Sequence, residues 1–280
     1  MKLLKLLSNL SLFIALVISG VKICSAQKIT NQLVLNNKAD DITVDRYWYI
    51  YEVVYDNLFK KNINGELQYS YSNKQLGKIG QLDVSNPLRP LILYKDLGVI
   101  SILDNTLSLQ ENNIDLNNLS LYQTTCIANS NFDNGIWLFD VDVNEILKID
   151  IHSSIIYRSG NLSAILANYD GPIINMREFN KHLFAVTKAY VYEFDQFGSL
   201  INTINVDATK GFIIGNDNYL FYDGIYFKRY QKLEFKMDTI CQNKSYQKVT
   251  GEIQHIIGIS TNSTTIEMIE FSPWKSHKSY

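Results

Sequence analysis

The sequence predicts an all-β protein assembled from repeated antiparallel units, and three observations carry that reading. An apolar run, an Asp, a few turn residues and a Leu recur, as in Val99-Ile100-Ser101-Ile102-Leu103-Asp104-Asn105-Thr106-Leu107 and Tyr190-Val191-Tyr192-Glu193-Phe194-Asp195-Gln196-Phe197-Gly198-Ser199-Leu200. Helical periodicity is nearly absent after the first 26 residues, where aromatic and β-branched runs alternate with Asn, Asp and Gly. Runs such as Leu91-Ile92-Leu93-Tyr94 and Ile136-Trp137-Leu138-Phe139 are apolar at consecutive positions, so both faces of those strands must be covered.

Taken in chain order, the first element is an export signal. Lys2 and Lys5 precede an apolar stretch from Leu10 to Val21, and Cys24-Ser25-Ala26 follows, which suits cleavage between Ala26 and Gln27. A spanning helix needs about 20 apolar residues, more than this run offers. Lipidation at Cys24 is an alternative, although Lys22 and Ile23 stand where a lipobox wants a small residue. Residues 27–280 then form one domain, since no Pro/Gly/Ser-rich linker divides them. Tyr47 to Tyr55 reads as an early strand, followed by a weaker copy of the repeat, Leu58-Phe59 into Asn62-Ile63-Asn64-Gly65-Glu66-Leu67. Asn86-Pro87-Leu88-Arg89-Pro90 punctuates the chain because Pro cannot donate to a ladder. Lys95-Asp96-Leu97-Gly98 supplies a hairpin turn.

The apolar strands leading into the turns fall near Leu58, Ile100, Ile136, Val191, Ile225 and Ile266. Their mean spacing of about 42 residues matches a four-stranded propeller blade. The expected fold is a β-propeller, most simply of six blades of about 42 residues, whose stacked sheets cover each other's apolar faces. Ile29 to Leu35 is expected to close the ring by adding a strand to the last blade near Ile266 to Phe271. Asp104, Asp140 and Asp195 are expected to be structural, each bonding the backbone of its turn in sister copies of the repeat.

Composition bounds the function. The chain is 46% hydrophobic and 19% charged, which is ordinary for a globular protein, and its net charge is −2. Phosphate-backbone binding needs clustered Lys and Arg, so nucleic acid is not an expected partner. The basic tail Lys275, His277, Lys278 reads as a solvated end. After signal removal only Cys126 and Cys241 are left; a disulfide is permitted outside the cytoplasm, but two buried thiols are the simpler reading.

The stretch Ile79-Gly80-Gln81-Leu82-Asp83-Val84-Ser85-Asn86-Pro87-Leu88, with Leu91 to Asp96 and Leu103 to Leu107, resembles uncharacterised exported propeller-like proteins of Bacteroidota. That resemblance implies a non-catalytic role in the periplasm or at the outer membrane, with some relatives linked to type IX secretion and gliding. It implies no functional residues.

Motifs for chemistry are sparse. His152, His182, His255 and His277 have no metal-ligand spacing to other His, Cys or Glu. Asp140, Asp142, Asn144 and Glu145 are dense enough to suggest calcium, but the Gly and Glu of an EF-hand loop are missing. No nucleophile elbow, phosphate loop or dinucleotide fingerprint is present, and no cofactor is expected. Trp48, Trp137 and Trp274 join 18 tyrosines as candidate anchors. Tyr222, Tyr226, Lys228, Arg229, Tyr230 and Lys232 make the candidate docking surface for a protein partner, Tyr and Arg being favoured at interfaces. The expected function is an exported, non-catalytic binding scaffold. The alternatives are a carbohydrate-active enzyme, which needs two acids converging in the channel, and a glycan-binding module, which needs exposed coplanar rings.

Overall fold

The computed structural model describes residues 27–35, 38–110, 112–242, 246–253 and 255–271. The expected leader, with Cys24 and Ala26, and the tail holding Trp274, Lys275, His277 and Lys278 lie outside the described residues.

Strand β1 (Gln27–Val34) opens the chain and pairs with the last strand described below. Four antiparallel sheets of four strands each follow in sequence order. The first is β2–β5 (Asp41–Val44, Ile50–Val54, Asn57–Lys61, Leu67–Ser72), and the second is β6–β9 (Gln81–Asp83, Leu91–Tyr94, Val99–Ile102, Ile114–Asp115). The third is β10–β13 (Thr124–Asn129, Ile136–Asp140, Glu145–Ile149, Ile155–Arg158), and the fourth is β14–β17 (Asn175–Phe179, His182–Val186, Tyr190–Phe194, Leu200–Asn205). An eight-stranded sheet completes the chain and consists of two antiparallel runs. One is β18–β21 (Gly211–Ile214, Asn218–Tyr222, Tyr226–Gln231, Lys236–Gln242); the other is β22–β24 (Tyr246–Glu252, His255–Ser260, Thr265–Phe271) with β1 at its outer edge. A single parallel pair, Gly211 with Val249, links the two runs.

The closing strand lies where the sequence places it. Ile29 pairs with Ile269 and Leu33 with Ile266, so the last run takes its outer strand from the N-terminal side of the chain.

Strand alternation explains how the runs stack. Leu91 and Leu93 pack toward the third sheet, while Ile92 and Tyr94, on the opposite face of β7, pack toward the first. Apolar clusters of this kind join the first run to the second, the second to the third, and so on to the fifth and sixth. A further cluster joins Ile257, Ile259, Ile266 and Met268 of the sixth run to Ile42, Val44 and Ile50 of the first. The runs therefore form a closed ring in which the second strand of each run is covered on both faces. Outer strands are wetter: β5 is exposed at most positions, whereas β7 and β11 are buried throughout.

The turn after the third strand is the structural repeat. Asn62, Asp104, Asp150 and Asp195 each accept two backbone N–H groups through one oxygen, from the residues two and four positions on, at 2.8–3.0 Å. The fourth residue of each turn has positive φ: Gly65, Leu107, Ser153 and Gly198. This corrects the expected family of turns. Asp140 ends β11, the second strand of its sheet, and reaches back to Gln123 N at 3.0 Å and Thr124 Oγ1 at 3.2 Å while also accepting Asp142 N. The sister of Asp104 and Asp195 in the third sheet is Asp150. The strand leading into the Asp150 turn is Glu145–Ile149, one strand beyond the Ile136 run that the sequence favours.

Candidate functional site: the central channel

The first strand of each run stands innermost. Residues of β2, β6, β14, β18 and β22 line one opening of about 400 Å³ and, deeper, a neck of about 90 Å³. The neighbouring innermost strands splay too far apart for a continuous ladder, and side chains bridge the gaps. Gln81 accepts from Ile127 N at 2.8 Å and donates to Ile127 O at 3.2 Å, so one amide stands in for a strand partner. Asp83 accepts Ser85 N and Asn129 N, both at 2.7 Å. Lys248 pairs with Asp41, and the Thr43 and Thr250 hydroxyls lie 3.3 Å apart. From β14, Arg177 donates to Gly251 O at 2.8 Å and to Glu252 Oε1 at 3.2 Å, reaching past β18 to the sixth run.

The channel acids are thus occupied. Asp41 faces an ammonium, and both Asp83 oxygens accept backbone N–H groups. What is left over in the neck is neutral polarity and donors: Arg177 Nε and Ser85 Oγ are buried without a partner on its wall. This lining can hold water or a small polar group, but it presents no carboxyl pair arranged as acid and base.

Two buried glutamates of the fourth sheet went unnoticed in the sequence. Glu178 accepts from Ser130 Oγ, Asn131 N and Trp137 Nε1 at 2.8–2.9 Å, so it ties the third sheet to the fourth. Glu193 accepts from His182 Nδ1 at 2.6 Å, Lys232 Nζ at 2.9 Å and Tyr219 Oη at 3.2 Å. Burial alone would raise the Glu193 pKa, but the bonds from His182 and Lys232 outweigh it and hold the carboxyl below its usual range. A carboxylate inside a strand pattern otherwise apolar is the signal that could have found Glu193; Glu178, beside Asn175 and Arg177 in its strand, carries no such signal.

The candidate docking surface does not assemble. Tyr222 and Tyr230 are buried, in the cores on either side of the fifth run, because successive strand residues point to opposite faces. Tyr226 is 39% exposed. Lys228 is tied to Asp223 at 2.9 Å, Arg229 to Asp238 at 3.2 Å and Lys232 to Glu193 at 2.9 Å. These six residues are a structural seam rather than an open patch.

Cys126 and Cys241 are buried in different clusters, between the third and fourth runs and between the fifth and sixth. Burial pushes the Cys126 thiol up to about 11. His152 sits in an Asp150 turn, and His255 packs edge-on against Trp48 at 4.6 Å. Asn144 bonds Asn161, Ser163 and Tyr169, and Glu145 pairs with Arg158 at 3.0 Å, so the acidic stretch beside Asp140 is taken up in loop packing. Among the described residues no group of three His, Cys, Asp or Glu is placed to hold a metal ion. No described helix is long and apolar enough to cross a membrane.

No family model and no curated protein matches this chain. Solved structures do. The WD40 domain of Neurospora crassa Pan2 superposes with a TM-score of 0.59 at 9% identity, covering 86% of this chain and 81% of that one. Virginiamycin B lyase from Staphylococcus aureus gives 0.60 at 13% identity over 88% of this chain and 99% of its own. The β-propeller domain of Myceliophteria thermophila Cps50 (Swd1) gives 0.58 at 10% identity over 87% and 99%. At such identities the likeness is one of architecture, and with the closed ring of stacked sheets it identifies the chain as a β-propeller.

Proposed function

We propose that this chain is a non-catalytic propeller that serves as a protein-binding scaffold, exported to the periplasm or the periplasmic face of the outer membrane. There it would be an accessory of an assembly such as the type IX secretion system. A lyase and WD40 domains share the fold, so the fold does not decide between reaction and recognition. The observation that carries the proposal is the state of the channel acids: Asp41 and Asp83 are engaged in holding neighbouring strands together. A ring locked in this way offers shape and surface, and its rims are loops that can vary without disturbing the sheets. The charged, apolar and small-residue pattern of residues 1–26 and the resemblance to exported Bacteroidota proteins support the location.

Site-specific photo-crosslinking in intact cells tests the proposal. Probes replace exposed residues on one rim (Tyr122, Val141, Ile225) or on the other (Tyr47, Leu109, Phe197). The expected result is a reproducible adduct with one envelope protein from one rim only, on a mature chain beginning at Gln27. Adducts from neither rim, or a chain retained in the cytoplasm with residues 1–26 attached, would overturn it.

A further inference from the structure

Of the four sheets that carry the capped turn after the third strand, one differs from the rest at the third position of the turn. That position is Asn64, Thr106 and His152 in the first three sheets, all polar, but Phe197 in the fourth, where the ring is 71% exposed. Across the seam, Phe132 and Ile156 of the third sheet are 56% and 53% exposed. These three apolar side chains rim a pocket of about 440 Å³ whose floor is Trp137 and Tyr157. Pockets of this size, largely apolar with few polar groups, are what ligand-binding sites look like.

The floor is rigid. Trp137 donates its indole N–H to buried Glu178 at 2.8 Å, and the Tyr157 hydroxyl donates to Gly198 O at 3.0 Å. The two rings meet edge-on, 5.7 Å apart. Glycine at 198 is required by this contact as well as by its φ of +84°, because a Cβ there would lie 2.1 Å from the Tyr157 ring. On the wall, Gln196 carries its side-chain oxygen buried and without a hydrogen-bond partner. A buried acceptor left so is destabilising, and a ligand donor that displaces its cover would relieve it. Charge around the rim is unbalanced: Lys148 is neutralised by Asp133 at 2.7 Å, but Lys181 Nζ, 4.2 Å from the centre of the Phe132 ring, has no carboxylate partner among the described residues. Finally, Ile156 belongs to β13, the outer strand of its sheet, so the pocket adjoins an open strand edge.

We propose that this pocket receives a Trp or Tyr side chain from an extended segment of a partner polypeptide that carries an acidic residue beside the aromatic one. The ring lies between Phe132 and Phe197 and its N–H or O–H donates to Gln196 Oε1. The carboxylate meets Lys181, and the backbone of the segment runs along the edge of β13. The proposal rests on the scaffold reading and names the feature a partner must present.

The test is titration of the full mature protein with a blocked Asp-Trp-Gly peptide, followed by calorimetry or NMR. Saturable binding is expected, and replacing Trp by 1-methyltryptophan should weaken it about tenfold, the worth of one buried hydrogen bond. That preference should vanish in Q196A. F197T places in the turn the residue type its sister carries at Thr106, so the fold is kept, as an unchanged Tm would verify, and binding should fall about tenfold or more. Lys-Trp-Gly should bind several-fold more weakly than Asp-Trp-Gly, a difference that added salt erases. Equal binding by wild type and F197T, or no saturation up to the solubility limit of the peptide, overturns the proposal. If the peptide fails while photo-crosslinking still yields a partner, the scaffold reading stands and this site falls. If the peptide and free indole bind alike and no partner is recovered, the pocket is a small-molecule site and the scaffold reading falls.

Discussion

Two seams of the ring are built from different materials. Between the sixth and first runs the core contact is aliphatic, with Ile42, Val44 and Ile50 against Ile257, Ile259, Ile266 and Met268, and Trp48–His255 and Asp41–Lys248 lie at its margins. Between the third and fourth runs it holds Trp137, Phe139, Tyr192 and Phe194, with Glu178 buried at its margin and an open pocket beside it. An aliphatic core seals mainly by area and tolerates small adjustments. Aromatic rings with polar handles need each handle met, so the second seam is specified by hydrogen bonds as well as by volume. Closure of the ring falls to the forgiving seam, and the proposed recognition pocket lies beside the exacting one.

The largest effect that could break this contrast comes from the closing seam. Deleting residues 27–34 removes the whole β1–β24 ladder and uncovers an edge of the last run. The loss should rival the stability of a typical domain, about 5 kcal/mol or more, and calorimetry should show no cooperative transition at the wild-type Tm. A truncated chain with a near-normal Tm would show that the seam does not need its borrowed strand.

Next come substitutions at the exacting seam. E178A leaves the Trp137 indole N–H, the Ser130 hydroxyl and the Asn131 N–H without their acceptor, and should cost about 3 kcal/mol by urea unfolding. I257V and I266V at the aliphatic seam should cost only about 1 kcal/mol each. Paired glycine substitutions sharpen the point. Gly65 and Gly198 occupy the same turn position with the same φ, +84°, but a Cβ at 65 meets only the mobile end of Leu33, whereas at 198 it meets the anchored Tyr157 ring. G198A should therefore destabilise by about 3 kcal/mol and G65A by about 1 kcal/mol.

Smaller effects follow from single turns and single protons. D104A, D150A and D195A each remove two backbone caps and should lower stability by about 1 kcal/mol apiece, equally across sheets. D140A should differ from them, since it loosens the start of β10 rather than a turn after a third strand. Glu193 gives a pH test. Its pKa is depressed in the folded state, so the stability it contributes is full above the unfolded value of about 4.3 and drains away as pH falls through the lower folded value. Plots of Tm against pH should be flatter on that acid limb for E193Q than for wild type.

Much of the architecture was legible because strand repeats leave a local trace. Four apolar residues in succession announced the central strands, and the addition of Ile29 to Leu35 to the last run near Ile266 to Phe271 was readable, though its register was not. The turn family was only half legible. Asp104 and Asp195 follow third strands, but Asp150 hides behind the polar sequence His152-Ser153-Ser154, and Asp140 has the louder apolar run before it. The docking patch failed for a stricter reason. Where both faces of a strand are buried, period-two alternation carries no in–out signal, so Tyr222 and Tyr230 read the same as an exposed Tyr. The channel was not legible at all: Arg177 meets Glu252, and Lys248 meets Asp41, across separations that no local pattern encodes. Phe197 is the instructive case, because only knowledge of its sisters in the capped turns, Asn64, Thr106 and His152, shows it to differ from them.

The last sheet borrows its outer strand from the opposite end of the polypeptide, and this fixes an order of events. Of the described strands β1 is made first, yet it has nothing to pair with until Thr265–Phe271 has been made. The ring thus stays open until the last of its strands has been made.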